Sequence, residues 1–129
     1  MNNVEIYRST ANAMRLDATS GVVITNSRFH DSSADNIYLD DADDILFNNI
    51  QSYNNLSNSS ITISNGSNGV SLNNSMIYNS PGDGINIINS ASVLIHNTVS
   101  TSNTVNGISI NNGVDVILSK SMIYSNRNW

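Results

Sequence analysis

Asn74-Ser75-Met76-Ile77-Tyr78-Asn79, then Gly84-Ile85-Asn86-Ile87, then Val93-Leu94-Ile95-His96-Asn97: these three runs within residues 74–97 decide the fold. In each, apolar and polar residues alternate over a few positions, so each reads as a short strand with one buried face. Asn, Ser, Gly and Asp separate the runs, which is turn chemistry. The same three runs return along the whole chain. One strand starts at Met14, Ile37, Ile61, Ile85 and Ile108, and a second at Val22, Ile45, Val70, Val93 and Val116. A third, weaker one is centred on Ile6, Phe29, Ser52, Ile77, Ser100 and Ile123. The interval is 23 residues, stretched to 24 or 25 in mid-chain, with the largest insertion, two residues, placed around Asn65-Gly66-Ser67-Asn68.

Many short strands suit a sandwich or a barrel, but a fixed period selects a solenoid. Three strands per repeat make one triangular coil, and coils stack in parallel. The expected fold is all-β: a right-handed parallel β-helix of about five coils, with residues 1–129 as one domain. Met1 aligns with the Ile24 column and Trp129 with the Asp35 column, and neither end carries an amphipathic cap. The chain is therefore expected to be part of a longer solenoid.

Composition agrees once the columns are drawn. The chain holds 24 Asn and 22 Ser against seven Gly and one Pro, a polarity that on its own suggests disorder. Its 16 Ile, mostly at alternating positions, supply a core instead. Stacking coils align Asn3, Asn26, Asn49, Asn74 and Asn97, followed by Lys120. A second polar column runs through Ser9, Ser32, Asn55, Ser80, Asn103 and Asn126. Stacked Asn side chains can bond one another, and Asn tolerates left-handed turn geometry. Lys120 cannot continue an amide ladder, so it is expected to point to solvent.

The net charge of −5 excludes a basic nucleic-acid footprint. No apolar run is long enough to span a membrane, and the first residues do not read as a signal peptide. Absence of Cys removes disulfides and thiol chemistry.

The runs quoted at the outset resemble the parallel β-helix repeat of the pectin-lyase-like superfamily, over nearly the whole chain. The resemblance implies the fold and leaves activity open, since that superfamily holds pectate lyases, polygalacturonases, mannuronan epimerases, tailspikes and non-catalytic surface proteins. The polygalacturonase signatures Asn-Thr-Asp, Gly-His-Gly and Arg-Ile-Lys do not occur, nor does the epimerase signature Tyr-Gly-Phe-Asp-Pro-His. No catalytic residue is assigned. Asp83 reads as a turn residue, and His30 and His96 read as exposed surface histidines.

Three outward features remain as candidates. The turn Asp40-Asp41-Ala42-Asp43-Asp44, with Asp31 and Asp35 nearby, is either solvated turn charge or a hard-oxygen site for Ca²⁺. Arg28 and Arg15 lie in neighbouring coils, and the Asp cluster is placed beside Arg28. Tyr7, His30, Tyr53, Tyr78 and Tyr124 form an aromatic row, interrupted by Thr101. Such a row either contacts sugar rings or supports itself as a surface ladder. Val23, Leu46, Leu94 and Ile117, with Ser71 between, form an apolar stripe suited to a second subunit or a flanking segment.

The resulting expectation is a non-catalytic module of an extracellular or cell-surface protein, a rigid scaffold with polysaccharide as its partner. Its support is the near-unbroken repeat, since β-helix enzymes carry their chemistry on loops that break it. The alternative is part of a uronan lyase, epimerase or glycoside hydrolase whose site is completed elsewhere.

Overall fold

The structure, a computed structural model, describes residues 1–128 and is a right-handed parallel β-helix. Numbered along the chain, its strands fall into three sheets, each joining every third strand. The first sheet holds β1 (Glu5–Tyr7), β4 (Arg28–His30), β7 (Gln51–Tyr53), β10 (Met76–Tyr78), β13 (Val99–Thr101) and β16 (Met122–Tyr124). The second holds β2 (Met14–Asp17), β5 (Ile37–Asp40), β8 (Ile61–Ser64), β11 (Ile85–Ile88) and β14 (Ile108–Asn111). The third holds β3 (Val23–Thr25), β6 (Leu46–Asn48), β9 (Ser71–Asn73), β12 (Leu94–His96) and β15 (Ile117–Ser119). All pairings are parallel and in register, for example Ile37 with Ile61 and Ile61 with Ile85.

Two details differ from the sequence expectation. In the third sheet the apolar run begins one residue before its strand, so Ile45, Val70 and Val93 sit at the corner and are still buried. The extra length of mid-chain is not a single two-residue insertion. One residue falls in the turn 54–60 and the other in the turn 65–70. Each insertion adds a left-handed residue, Asn58 (φ 63°) and Gly66 (φ 91°), so the bulge is absorbed at a corner and the strands stay in register.

Left-handed corners explain the composition. Asn3, Asn26, Asn49, Asn74, Asn97 and Lys120 all hold φ between 48° and 56°. Further left-handed columns follow the first-sheet strands (Asp31, Asn54, Asn79) and the second-sheet strands (Asp41, Asn65, Asn89, Asn112). A Cβ disfavours this conformation, and Asn, Asp and Gly bear it best. Among the described residues, 21 non-glycine positions have positive φ, and 11 of them are Asn. Gly69 continues the column of Asp44, and a Cβ there would approach the Asp44 carboxylate at 2.8 Å. The exposed Asn column is bonded as a ladder: Asn49 Nδ2 donates to Asn26 Oδ1 (2.8 Å) and Asn97 Nδ2 to Asn74 Oδ1 (2.8 Å). Asn74 Nδ2 reaches Asn48 Oδ1 instead (2.7 Å). Lys120 keeps the left-handed backbone and is exposed to solvent.

The core is a narrow column of stacked side chains. Phe29, Phe47, Leu72, Ile77, Ile85 and Ile95 are essentially fully buried. Each such side chain contributes about 1.5–3 kcal/mol through removal from water. An inner layer is covered by the coils on both sides of it, an end layer by one. Burial therefore weakens towards the last coil, where Leu118 is 41% and Ile123 39% exposed. A second, polar inner column lies at the corner between the first and second sheets. There Ser32, Asn55, Ser80 and Asn103 are buried, and Asn55 Nδ2 donates to the carbonyls of Asn58 and Ser59.

Candidate functional site

The aromatic row forms as a stack. Ring centroids are 5.3 Å apart for Tyr7–His30, 4.7 Å for His30–Tyr53 and 4.8 Å for Tyr53–Tyr78, with planes within 7° of parallel. Strand spacing in a parallel sheet imposes this separation. Thr101 ends the stack, and Tyr124 stands beyond it, exposed. The rings press their faces on one another, and Arg8 lies over the outer face of Tyr7. What the row offers to solvent is therefore ring edges and phenol hydroxyls. Burial within the row pushes the Tyr53 and Tyr78 phenols above their ordinary range. His30 is not the freely exposed histidine that the sequence suggests. Its side chain is 13% exposed, with Nε2 3.1 Å from Glu5 Oε1 and Nδ1 3.0 Å from Asp31 Oδ2.

The acidic residues, adjacent in sequence, are dispersed in space. Asp31 turns to His30, and Asp35 lies on the far side of β5 from the turn 41–44. Asp40 accepts from Arg15 Nη2 (2.8 Å) and from Asn65 Nδ2 (2.7 Å). Asp43 Oδ1 accepts from the amide of Asn68 (3.0 Å), and Asp41 and Asp44 occupy left-handed corners. Among the described residues, no three His, Cys, Asp or Glu side chains converge in a metal-holding group. The cation beside this turn is Arg15, not Arg28. Arg28 sits on β4 in the first sheet and lines a separate hollow with Glu5, Asn26 and Gln51.

The apolar stripe lies on the outer face of the third sheet. Val23 is 49% and Ile117 57% exposed, while Leu46 and Leu94 are half-buried by their neighbours.

A fourth place lies on the second sheet. An open groove of about 340 Å³ runs along the second sheet, lined by Asp35, Tyr38, Asn58, Thr62, Asp83 and Asn86. Tyr38, Thr62 and Asn86 are successive outer-face residues of β5, β8 and β11. Its wall is the turn that carries the extra residue, Asn58 included. Asp35 is 3% exposed, and its Oδ1 has no hydrogen-bond partner. Burial raises the Asp35 carboxyl above 3.8, against the opposing pull of Thr62, the Ser59 amide and Asn58. A buried carboxyl with a raised pKa in a cleft marks a candidate functional position. Asp83 commits Oδ1 to the amide and side chain of Asn106 (2.9 and 2.8 Å).

Periodicity does not single out this groove. Its one sequence signal is columnar: Asp35, Ser59 and Asp83 each stand two residues before a second-sheet strand, below an outer-face aromatic, Tyr38.

No protein-family model matches the sequence, and no curated protein matches it. Solved structures do share its fold. The periplasmic alginate epimerase AlgG superposes with a TM-score of 0.63 at 13% identity, over 97% of this chain and 39% of that one. A point mutant of the same enzyme gives 0.61 at 13% identity, over 99% and 42%. The chain spans about two fifths of the length of these structures. At this identity the likeness is one of fold, and by fold the chain is a parallel β-helix repeat protein.

Proposed function

We propose that the chain is a rigid, non-catalytic β-helix module of an extracellular or cell-surface protein, contacting carbohydrate through the groove between Asp35 and Asp83. The observation that carries this reading is the groove itself. It combines a buried carboxyl with an unpartnered oxygen, an aromatic ring and amide side chains on one sheet face. Carboxylate, amide and hydroxyl groups bond sugar hydroxyls, while an aromatic body offers an apolar surface with a polar tip. The likeness to an alginate epimerase fits a carbohydrate partner and a location outside the cytoplasm. The scaffold role rests on coils whose only insertions are single corner residues.

A glycan array followed by calorimetry on the strongest ligands tests the reading. Tyr38→Ala should weaken binding, and Tyr53→Ala should leave it intact, because the Tyr53 ring faces are already covered by its neighbours. Binding lost with Tyr53→Ala and kept with Tyr38→Ala would move the contact to the hydroxyl edges of the aromatic row. Absence of binding to every glycan would discard the reading.

A second reading is favoured by one observation. The raised carboxyl of Asp35, two coils from Asp83, is the type of group that acts as a general acid. In that case the chain is part of a polysaccharide-active enzyme, and turnover of a bound glycan should disappear in Asp35→Asn while binding persists.

A further inference from the structure

We infer that the groove selects a neutral, hydroxyl-rich saccharide and turns away chains that carry carboxylates; this rests on the carbohydrate reading above. The register places Ile37 beside Ile61 and Ile61 beside Ile85. Asp35 and Asp83, each two residues earlier, are therefore equivalent positions two coils apart with Ser59 between them. At about 4.8 Å per coil, their backbones are separated by roughly 9.6 Å along the helix axis. Both line the same groove, and no cationic side chain lines it with them. Arg15, whose guanidinium lies 5.0 Å from the centre of the Tyr38 ring, is tied to Asp40 at 2.8 Å and Asp17 at 3.5 Å.

The donor and acceptor balance follows from these residues. An ionised carboxylate only accepts, and its bonds from hydroxyl donors are stronger than neutral ones. Sugar hydroxyls supply such donors to the groove-lining carboxylates; Asp35 Oδ1 is itself sealed from solvent, so Asp35 acts there chiefly as buried negative charge. A uronate carboxylate is itself an acceptor and an anion. Placed between Asp35 and Asp83, on a chain of net charge −5, it meets like charge, and the cation beside Tyr38, Arg15, is already paired with Asp40 and Asp17. Specificity of this kind comes from the repulsive element as much as from the attractive one. Amides at Asn58 and Asn86 serve a neutral sugar equally well, since each both donates and accepts.

The test compares two ligand classes on the unaltered protein, so it does not depend on a variant folding. Calorimetry at fixed ionic strength would use neutral oligosaccharides (gluco-, galacto- and manno-configured) and oligouronates of equal length. The expected result is binding of a neutral oligosaccharide at least about ten-fold tighter than any oligouronate. Asp83→Asn should narrow that gap by improving oligouronate binding. Oligouronates binding as tightly as neutral chains would overturn the inference and leave the carbohydrate reading standing. Failure of both classes to bind would overturn the carbohydrate reading, and the inference with it.

Discussion

Replacing Asn74 separates the two roles that an Asn serves at a corner of this helix. Asn74 is exposed, holds φ 52°, donates to Asn48 and accepts from Asn97. Asn74→Gly keeps the left-handed backbone and removes both ladder bonds. At an exposed site these are worth about 0.5 kcal/mol each, so the cost is about 0.5–1 kcal/mol. Asn74→Ala removes the same bonds and, unlike Gly, keeps a Cβ in the left-handed region without the local polar contacts by which Asn tolerates it, at about 1–2 kcal/mol relative to Gly. The stiffer unfolded chain of the Ala variant returns about 0.4–1 kcal/mol. The Ala variant should therefore be the less stable of the two, by up to about 1.6 kcal/mol. That order is the reverse of the one expected in a strand, where Gly is the worse residue by a similar amount. Met76, exposed on β10, supplies the control, and there the Ala variant should be the more stable. Urea unfolding followed by far-ultraviolet circular dichroism measures all four variants, with midpoints compared at a common slope. Asn74→Ala proving more stable than Asn74→Gly would refute the account of the Asn columns as conformational rather than merely polar.

Three further outcomes follow. Leu72 and Leu118 occupy one inward column but are 1% and 41% exposed, so Leu72→Ala should cost about 2–5 kcal/mol and Leu118→Ala less than half of that by the same urea assay. Asp35→Asn should be nearly neutral below a pH of about 3.8 and stabilising at neutral pH. A carboxyl raised by burial contributes stability while protonated in both states and loses it as pH rises through the folded value. Melting temperatures of both proteins across that range check it, and a pH-independent difference would refute it. His30→Ala should lose about 1–3 kcal/mol, from two stacked neighbours at about 0.5–1.5 kcal/mol each. His30→Phe should recover most of the loss, and equal melting temperatures for the two variants would assign the effect to the Glu5 and Asp31 contacts instead.

The groove and the aromatic row illustrate different uses of one lattice. In both, residues one coil apart are held about 4.8 Å from each other by parallel pairing. Where the column is uniformly aromatic, the rings consume one another's faces. Where it is mixed, as in Arg15, Tyr38, Thr62 and Asn86, unlike groups do not stack as a continuous row, and Tyr38 and Asn86 stay partly exposed. The single extra residue in the turn 54–60 then raises a wall beside that face.

The period, the three parallel sheets and the inward residues of nearly every coil are legible in the sequence. So are the Asn and aromatic columns and the outward position of Lys120. A period of 23 residues states which residues lie above which, and strand alternation states which face they take. Tertiary structure decided what meets across a corner. Asp31 and Asp35 stay at the corner between β4 and β5 while Asp40 to Asp44 lie at the far end of β5, Arg15 rather than Arg28 joins Asp40, and His30 is enclosed by Glu5 and Asp31. It also decided that Asp35, one polar turn residue among many in the sequence, is buried at the edge of a groove with an oxygen left unbonded. The physical reason is that repeat spacing encodes distance along the coil and along the axis. The angles of the corners, and the single residues that bend them, set which side chains converge and which remain solvated.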